Sequence, residues 1–154
     1  MQHYDKKHLF TFGGEHKRFT AGTERVVVNF RGVRILLEVC YDLRFPVWSR
    51  NLGDYDMILY VASWPTPRVD AWSALLRARA IDNQCYVAGV NRMGVDPACE
   101  YSGGSAIIDP YGKTIAECPW SRESAVSADI DMEALQAFRK KFPVLDDADP
   151  FTLI

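Results

Sequence analysis

Three short runs dominate the folding problem. Val33–Val39, Met57–Ala62 and residues 85–90 are rich in aliphatic and β-branched side chains and show little polar alternation. Strands of that kind sit inside a sheet, so both sheet faces are expected to be covered. A helical stretch, residues 70–84, separates the second run from the third. Its spacing puts Ala71, Leu75, Ala78 and Ile81 on one face and leaves Arg77 and Asp82 elsewhere. Residues 25–30 precede the first run across Arg31-Gly32 and read as its hairpin partner. Residues 105–108 and 113–116 flank Asp109-Pro110-Tyr111-Gly112, whose proline and glycine suit a tight turn, and predict another hairpin. Residues 46–52 read as a short helix with Pro46 in its first turn. Residues 125–130 read as a last strand. Asp131 then caps a helix that runs to about Lys141 and stops before Pro143. The first two dozen residues are loop-like, broken by Gly13-Gly14 and Ala21-Gly22. Strand, helix and strand followed by hairpins is an α/β plan.

The totals narrow the function. A chain of 154 residues suits one domain with its own core. Eighteen Lys and Arg against twenty Asp and Glu leave a net charge of −2, which argues against nucleic acid or an anionic membrane as the main partner. No run approaches the roughly 20 apolar residues of a membrane span, and the polar start shows no signal-peptide pattern, so a cytoplasmic location is expected. The four cysteines (Cys40, Cys85, Cys99 and Cys118) are irregularly spaced and read as free thiols in a reducing compartment. None forms a Cys-x-x-Cys pair and the three histidines lie far from them, so no metal site is expected.

The chemistry concentrates at the end of the first apolar run, in Val39-Cys40-Tyr41-Asp42-Leu43-Arg44-Phe45-Pro46. A sharp turn out of a strand exposes a side chain and aims backbone N–H groups at a developing oxyanion. Cys40 is therefore a candidate nucleophile, given a nearby cation or a helix start to lower its pKa; otherwise it is a small buried hydrophobe. Lys6 is the candidate cation, in Tyr4-Asp5-Lys6-Lys7-His8-Leu9-Phe10, where alternation turns only one lysine inward. A solvated lysine pair is the alternative. Glu15 either orients that lysine or is a loop carboxylate. Asp42 and Arg44 read as an ion pair bracing the turn, with Arg44 as a binder of an acidic substrate the other option. Trp64-Pro65 walls a pocket or stiffens a loop. His8 lies in the lysine segment, which gives a Cys–His dyad little support.

These segments, with Ala62-Ser63-Trp64-Pro65, Ala78-Arg79-Ala80-Ile81-Asp82-Asn83-Gln84 and Ile108-Asp109-Pro110-Tyr111-Gly112, strongly resemble the carbon–nitrogen hydrolase (nitrilase) superfamily, nearest to its omega-amidase-like bacterial branch. The likeness covers almost the whole chain. It implies part of a four-layer αββα sandwich and a Glu–Lys–Cys mechanism without a cofactor. The lysine of the motif falls on Lys6, the nucleophile on Cys40 and a second glutamate on Glu15. Tyr41, through its N–H and ring, and with it Arg44 and Trp64, would meet the substrate, a small dicarboxylate ω-amide such as 2-oxoglutaramate. The family's general-base glutamate precedes the lysine, and no residue here matches it. The resemblance therefore implies residues 1–154 as a single hydrolase domain that looks like a C-terminal part, a homodimer that an N-terminal fragment would complete. A catalytically incomplete remnant is the competing reading. Ser63 stands where Asn is common in the family, and Asp82 where Glu is common.

Overall fold

The computed structural model describes residues 2–152. The apolar runs form the sheet they predict. Strands β1 (Val27–Phe30) and β2 (Val33–Val39) pair as an antiparallel hairpin, with Val27 opposite Leu36. β3 (Met57–Ala62) and β4 (Tyr86–Asn91) add in parallel, so Val39, Val61 and Val90 stand side by side near their carboxyl ends. A small antiparallel pair, β5 (Met93–Val95) and β6 (Glu100–Ser102), stands apart. The hairpin of β7 (Ala106–Ile108) and β8 (Thr114–Glu117) completes a six-stranded sheet of order β1-β2-β3-β4-β7-β8.

Helix α1 (Val69–Asp82) covers one face. Trp72, Leu76 and Ala80 pack on Leu36, Ile58, Tyr60, Val87 and Ile108. The buried face is turned one residue from the expected one. Ile81 is exposed, while Ala71 and Leu75 are only half-buried. The large Trp72 ring takes the core position because β4 presents a glycine there. A Cβ on Gly89 would stand 2.5 Å from Leu76 Cδ1 and 2.8 Å from Trp72 Cζ2. Arg79 is buried on the same face because its guanidinium donates to the Leu43 carbonyl, 2.8 Å away.

Helix α2 (Met132–Lys141) begins as expected, with the Asp131 carboxylate accepting from the Ala134 N–H at 2.8 Å. Its Arg139 ties the amino-terminal ends of β3 and β4 through the Tyr55 and Gln84 carbonyls and Asp56.

Three expectations fail. Residues 46–52 form turns, not a helix. A short 3₁₀ helix occupies Cys40–Arg44 instead, and Phe45, ahead of Pro46, sits at φ −116°, ψ 84°, outside the helical region. Residues 125–130 are mostly exposed and form no strand, leaving unpaired the outer edge of β8, the last strand in the sheet order. The second sheet face is incompletely covered among the described residues, with Val61 and Val90 nearly half exposed.

Candidate active site

Parallel strands concentrate function where their carboxyl ends point. Here β2 ends at Val39, just before Cys40, β3 at Ala62, just before Ser63-Trp64, and β4 at Asn91. Beside these ends lies a cavity of about 600 Å³, lined by Tyr4, Lys6, Phe10 and Glu15 from the first segment. Cys40, Tyr41 and Arg44, and Ser63, Trp64 and Arg68, complete the lining used below. All six residues marked out in the sequence (Lys6, Glu15, Cys40, Tyr41, Arg44 and Trp64) meet at this cavity.

Cys40 has φ +50°, a left-handed conformation that a residue with a Cβ adopts only under constraint. The constraint is Asp42. Its carboxylate is fully buried and accepts from the Val39 N–H (3.0 Å), the Tyr4 hydroxyl (2.9 Å) and the His8 N–H (2.8 Å). The His8 ring nitrogen Nδ1 lies 2.9 Å from the same group, and the ring stacks on Phe45 at 3.8 Å. One carboxylate therefore fastens the lysine-bearing segment to the cysteine-bearing turn. Tyr4 extends the clamp, accepting from Trp48 Nε1 at 3.0 Å and from the Lys7 N–H at 3.2 Å. Asp42 and Arg44 are thus not the expected ion pair: Asp42 turns inward to these donors, and the Arg44 guanidinium lies over the Trp64 ring at 5.0 Å. His8 is engaged with Asp42 rather than serving as a partner for the thiol.

Lys6 is the inward lysine. Its ammonium lies 2.6 Å from a Glu15 carboxylate oxygen, which also accepts the Phe10 N–H at 2.8 Å. Burial pushes the Glu15 carboxyl up, but those two bonds outweigh it and hold the group below the ordinary carboxylate range. Burial also pushes the Cys40 thiol up. The Lys6 charge and the Ser63 N–H draw it down, while Glu15 and Asp42 raise it, and the net direction is upward. The expected lowering by a cation and a helix start is therefore not realised. The cation is present but outweighed, and the 3₁₀ turn begins at Cys40 itself.

Three supports were not singled out in the sequence. Asn91 accepts the Trp64 N–H at 2.7 Å and donates to the carbonyls of Trp64 (3.0 Å) and Gly103 (2.7 Å), which fixes the wall after β3. Arg79 holds the Cys40–Arg44 turn from α1. Arg68 places a second guanidinium on the cavity, over the Phe10 ring at 5.5 Å. Each acts across 27 or more positions in the chain or from a loop wall, which local patterning does not register. Among the described residues, no cluster of three metal-ligating side chains occurs.

The model of the family described as carbon-nitrogen hydrolase matches residues 1–140. Omega-amidase YafV of Escherichia coli K12 is 55% identical over 151 residues, covering 97% of this chain and 59% of that protein. The 2-oxoglutaramate amidase of Bacillus subtilis is 41% identical over 149 residues, covering 96% of this chain and 57% of the relative. The crystal structure of XC1258 from Xanthomonas campestris, a CN-hydrolase superfamily protein with an arsenic adduct in its active site, superposes with a TM-score of 0.95. It is 48% identical and covers 99% of this chain and 60% of that one. The chain thus spans a little under 60% of the curated relatives' length. The family match begins at residue 1 and does not bear out the expectation of a C-terminal part alone.

Proposed function

Because the chain belongs to the carbon–nitrogen hydrolase family, we propose that it hydrolyses a small ω-amide of a dicarboxylate, 2-oxoglutaramate or a close analogue, through a thioester on Cys40. The observation that carries this reading is the meeting of Cys40, Lys6 and Glu15 on one cavity at the strand ends. The thiol gives up its proton, and the sulfur attacks the amide carbon. The Lys6 ammonium and the Tyr41 N–H stabilise the oxyanion, while Glu15 holds and partly neutralises Lys6. The carbon–nitrogen bond breaks, and the nitrogen leaves as ammonia with the transferred proton. Water then attacks the thioester, releasing the free acid and restoring the thiol. Names of relatives support the substrate class: one is called an omega-amidase and another a 2-oxoglutaramate amidase. The same reading takes residues 1–154 as one hydrolase domain that works in the cytoplasm as a homodimer.

Ammonia release from 2-oxoglutaramate by the purified chain tests the proposal. Turnover that disappears in Cys40→Ala supports it; full activity in Cys40→Ala ends it. The raised thiol favours one competing reading, a catalytically incomplete remnant of the same fold. Loss of a general base typically lowers rates about 10²–10⁴-fold. Turnover that weak in a folded chain would favour the competing reading.

A further inference from the structure

We propose that Arg68, together with Arg44, binds a carboxylate on the substrate and confines this cavity to anionic amides. The inference rests on the amidase reading and names the residue that sets its specificity.

The charges on the cavity wall are Asp5, Lys6, Glu15, Arg44 and Arg68. Lys6 and Glu15 are satisfied by each other at 2.6 Å. Among the described residues, neither arginine has a carboxylate within ion-pair distance, and neither guanidinium donates a hydrogen bond to the protein. Each guanidinium carbon instead lies over an aromatic ring, Arg44 over Trp64 at 5.0 Å and Arg68 over Phe10 at 5.5 Å. A cation placed over a ring keeps its N–H donors available, and a guanidinium can offer two of them to one carboxylate.

The two stacks are also mechanically joined. Trp64 carries Arg44 on its ring and donates its indole N–H to the Arg68 carbonyl at 2.7 Å. Phe10 carries Arg68 and is fixed through its own N–H to Glu15, which holds Lys6. The second guanidinium is thus tied by two bonded steps to the lysine of the reacting centre. Two cations that pair with no carboxylate among the described residues, on the cavity that holds the thiol, are what recognition of an acid group beside an amide requires. A neutral amide would leave both unanswered.

Calorimetry of 2-oxoglutarate, the acid product, binding to the Cys40→Ala chain tests this without turnover. Arg68→Gln is expected to weaken binding about 10- to 100-fold, the range of a charge-assisted contact. Arg68→Lys is expected to lose less, and Lys113→Gln, outside the cavity, to change nothing. A second readout uses the native cysteine. Arg68→Gln should slow alkylation of Cys40 by iodoacetate about 10-fold while leaving its rate with neutral iodoacetamide within about 2-fold. Absence of 2-oxoglutarate binding to the parent, or equal binding and an equal reagent ratio in Arg68→Gln, would overturn the proposal. Arg68-dependent binding of the acid by a chain that releases no ammonia would uphold the subsite and defeat only the amidase reading.

Discussion

Asp42 accepts its hydrogen bonds with no exposed surface, so removing one oxygen strands donors that water cannot reach. Asp42→Asn is expected to lower kcat by about 10-fold or more with little change in KM, because it releases Lys6 from the cysteine turn rather than altering the cavity wall. Steady-state kinetics separates the two parameters. Asp42→Ala should also lower stability by about 2–4 kcal/mol in denaturant unfolding. Cys40 gives a second prediction. Its thiol stands above the ordinary value, so the midpoint of the iodoacetamide rate against pH should lie above about 8.5, the midpoint of a free cysteine. Lys6→Gln should move that midpoint further up, because Lys6 is the main charge drawing it down. An alkylation profile centred below 8.5 would contradict this. That Cys40 and Lys6 belong to one cavity was legible in sequence because each lies in a distinctive local segment, and Glu15 was reached through the family resemblance. The parts played by Tyr4, Asn91 and Arg68 were not legible, because they arise from partners 27 to 58 positions away.

Elements follow the same division. The strands of the large sheet were readable because apolar runs are local and their burial demands a sheet. The short β5–β6 pair escaped notice, since three-residue strands leave almost no periodicity. Residues 125–130 misled because a run becomes a strand only by pairing, and this one does not join the free edge that β8 presents. The face of α1 was misplaced by one residue because its position is set from outside the helix, by the missing side chain at Gly89. That contact makes a prediction. In Gly89→Ala the added methyl meets the Trp72 ring, which cannot swing aside as the Leu76 methyls can. The variant is expected to lose about 1–3 kcal/mol, or roughly 3–10 °C in Tm, read by thermal unfolding. An unchanged Tm would mean that α1 rides further from β4 than the fold implies. Asp131→Ala at the cap of α2 should cost about 1 kcal/mol by the same measurement.

The molecule as a whole carries a buried acid that its chemistry does not use. Glu38 is 1% exposed, accepts from Ser49 at 2.9 Å, and leaves its other oxygen without a protein partner. Burial, resisted by hydrogen bonds from Tyr60 and Ser49, pushes its pKa from 4.5 up to about 7. Between those values the folded chain holds a proton that the unfolded chain has lost, so stability falls as pH rises across this window and levels above it. The change is on the order of 3 kcal/mol. Glu38→Gln keeps the shape and should flatten the slope in urea titrations from pH 4.5 to 7. Asp56 behaves oppositely. Burial pushes it up, but hydrogen bonds from Arg34 hold it below 3.8, so its contribution is present above that pH and lost in acid. Together they place the stability maximum on the mildly acid side of neutrality.

Residues 2–10 have neither strand nor helix of their own. Their place is kept by acceptors on other segments, chiefly the carboxylates of Asp42 and Glu15. Strong acid therefore has a weak point that lies outside the sheet. As Glu15 takes up a proton, the segment loses its tie to Lys6 while α1 and its strands keep their apolar packing, so acid frees the arm before it melts the sheet. A brief acid exposure would then be forgiven on neutralisation, the arm returning to a scaffold that never came apart.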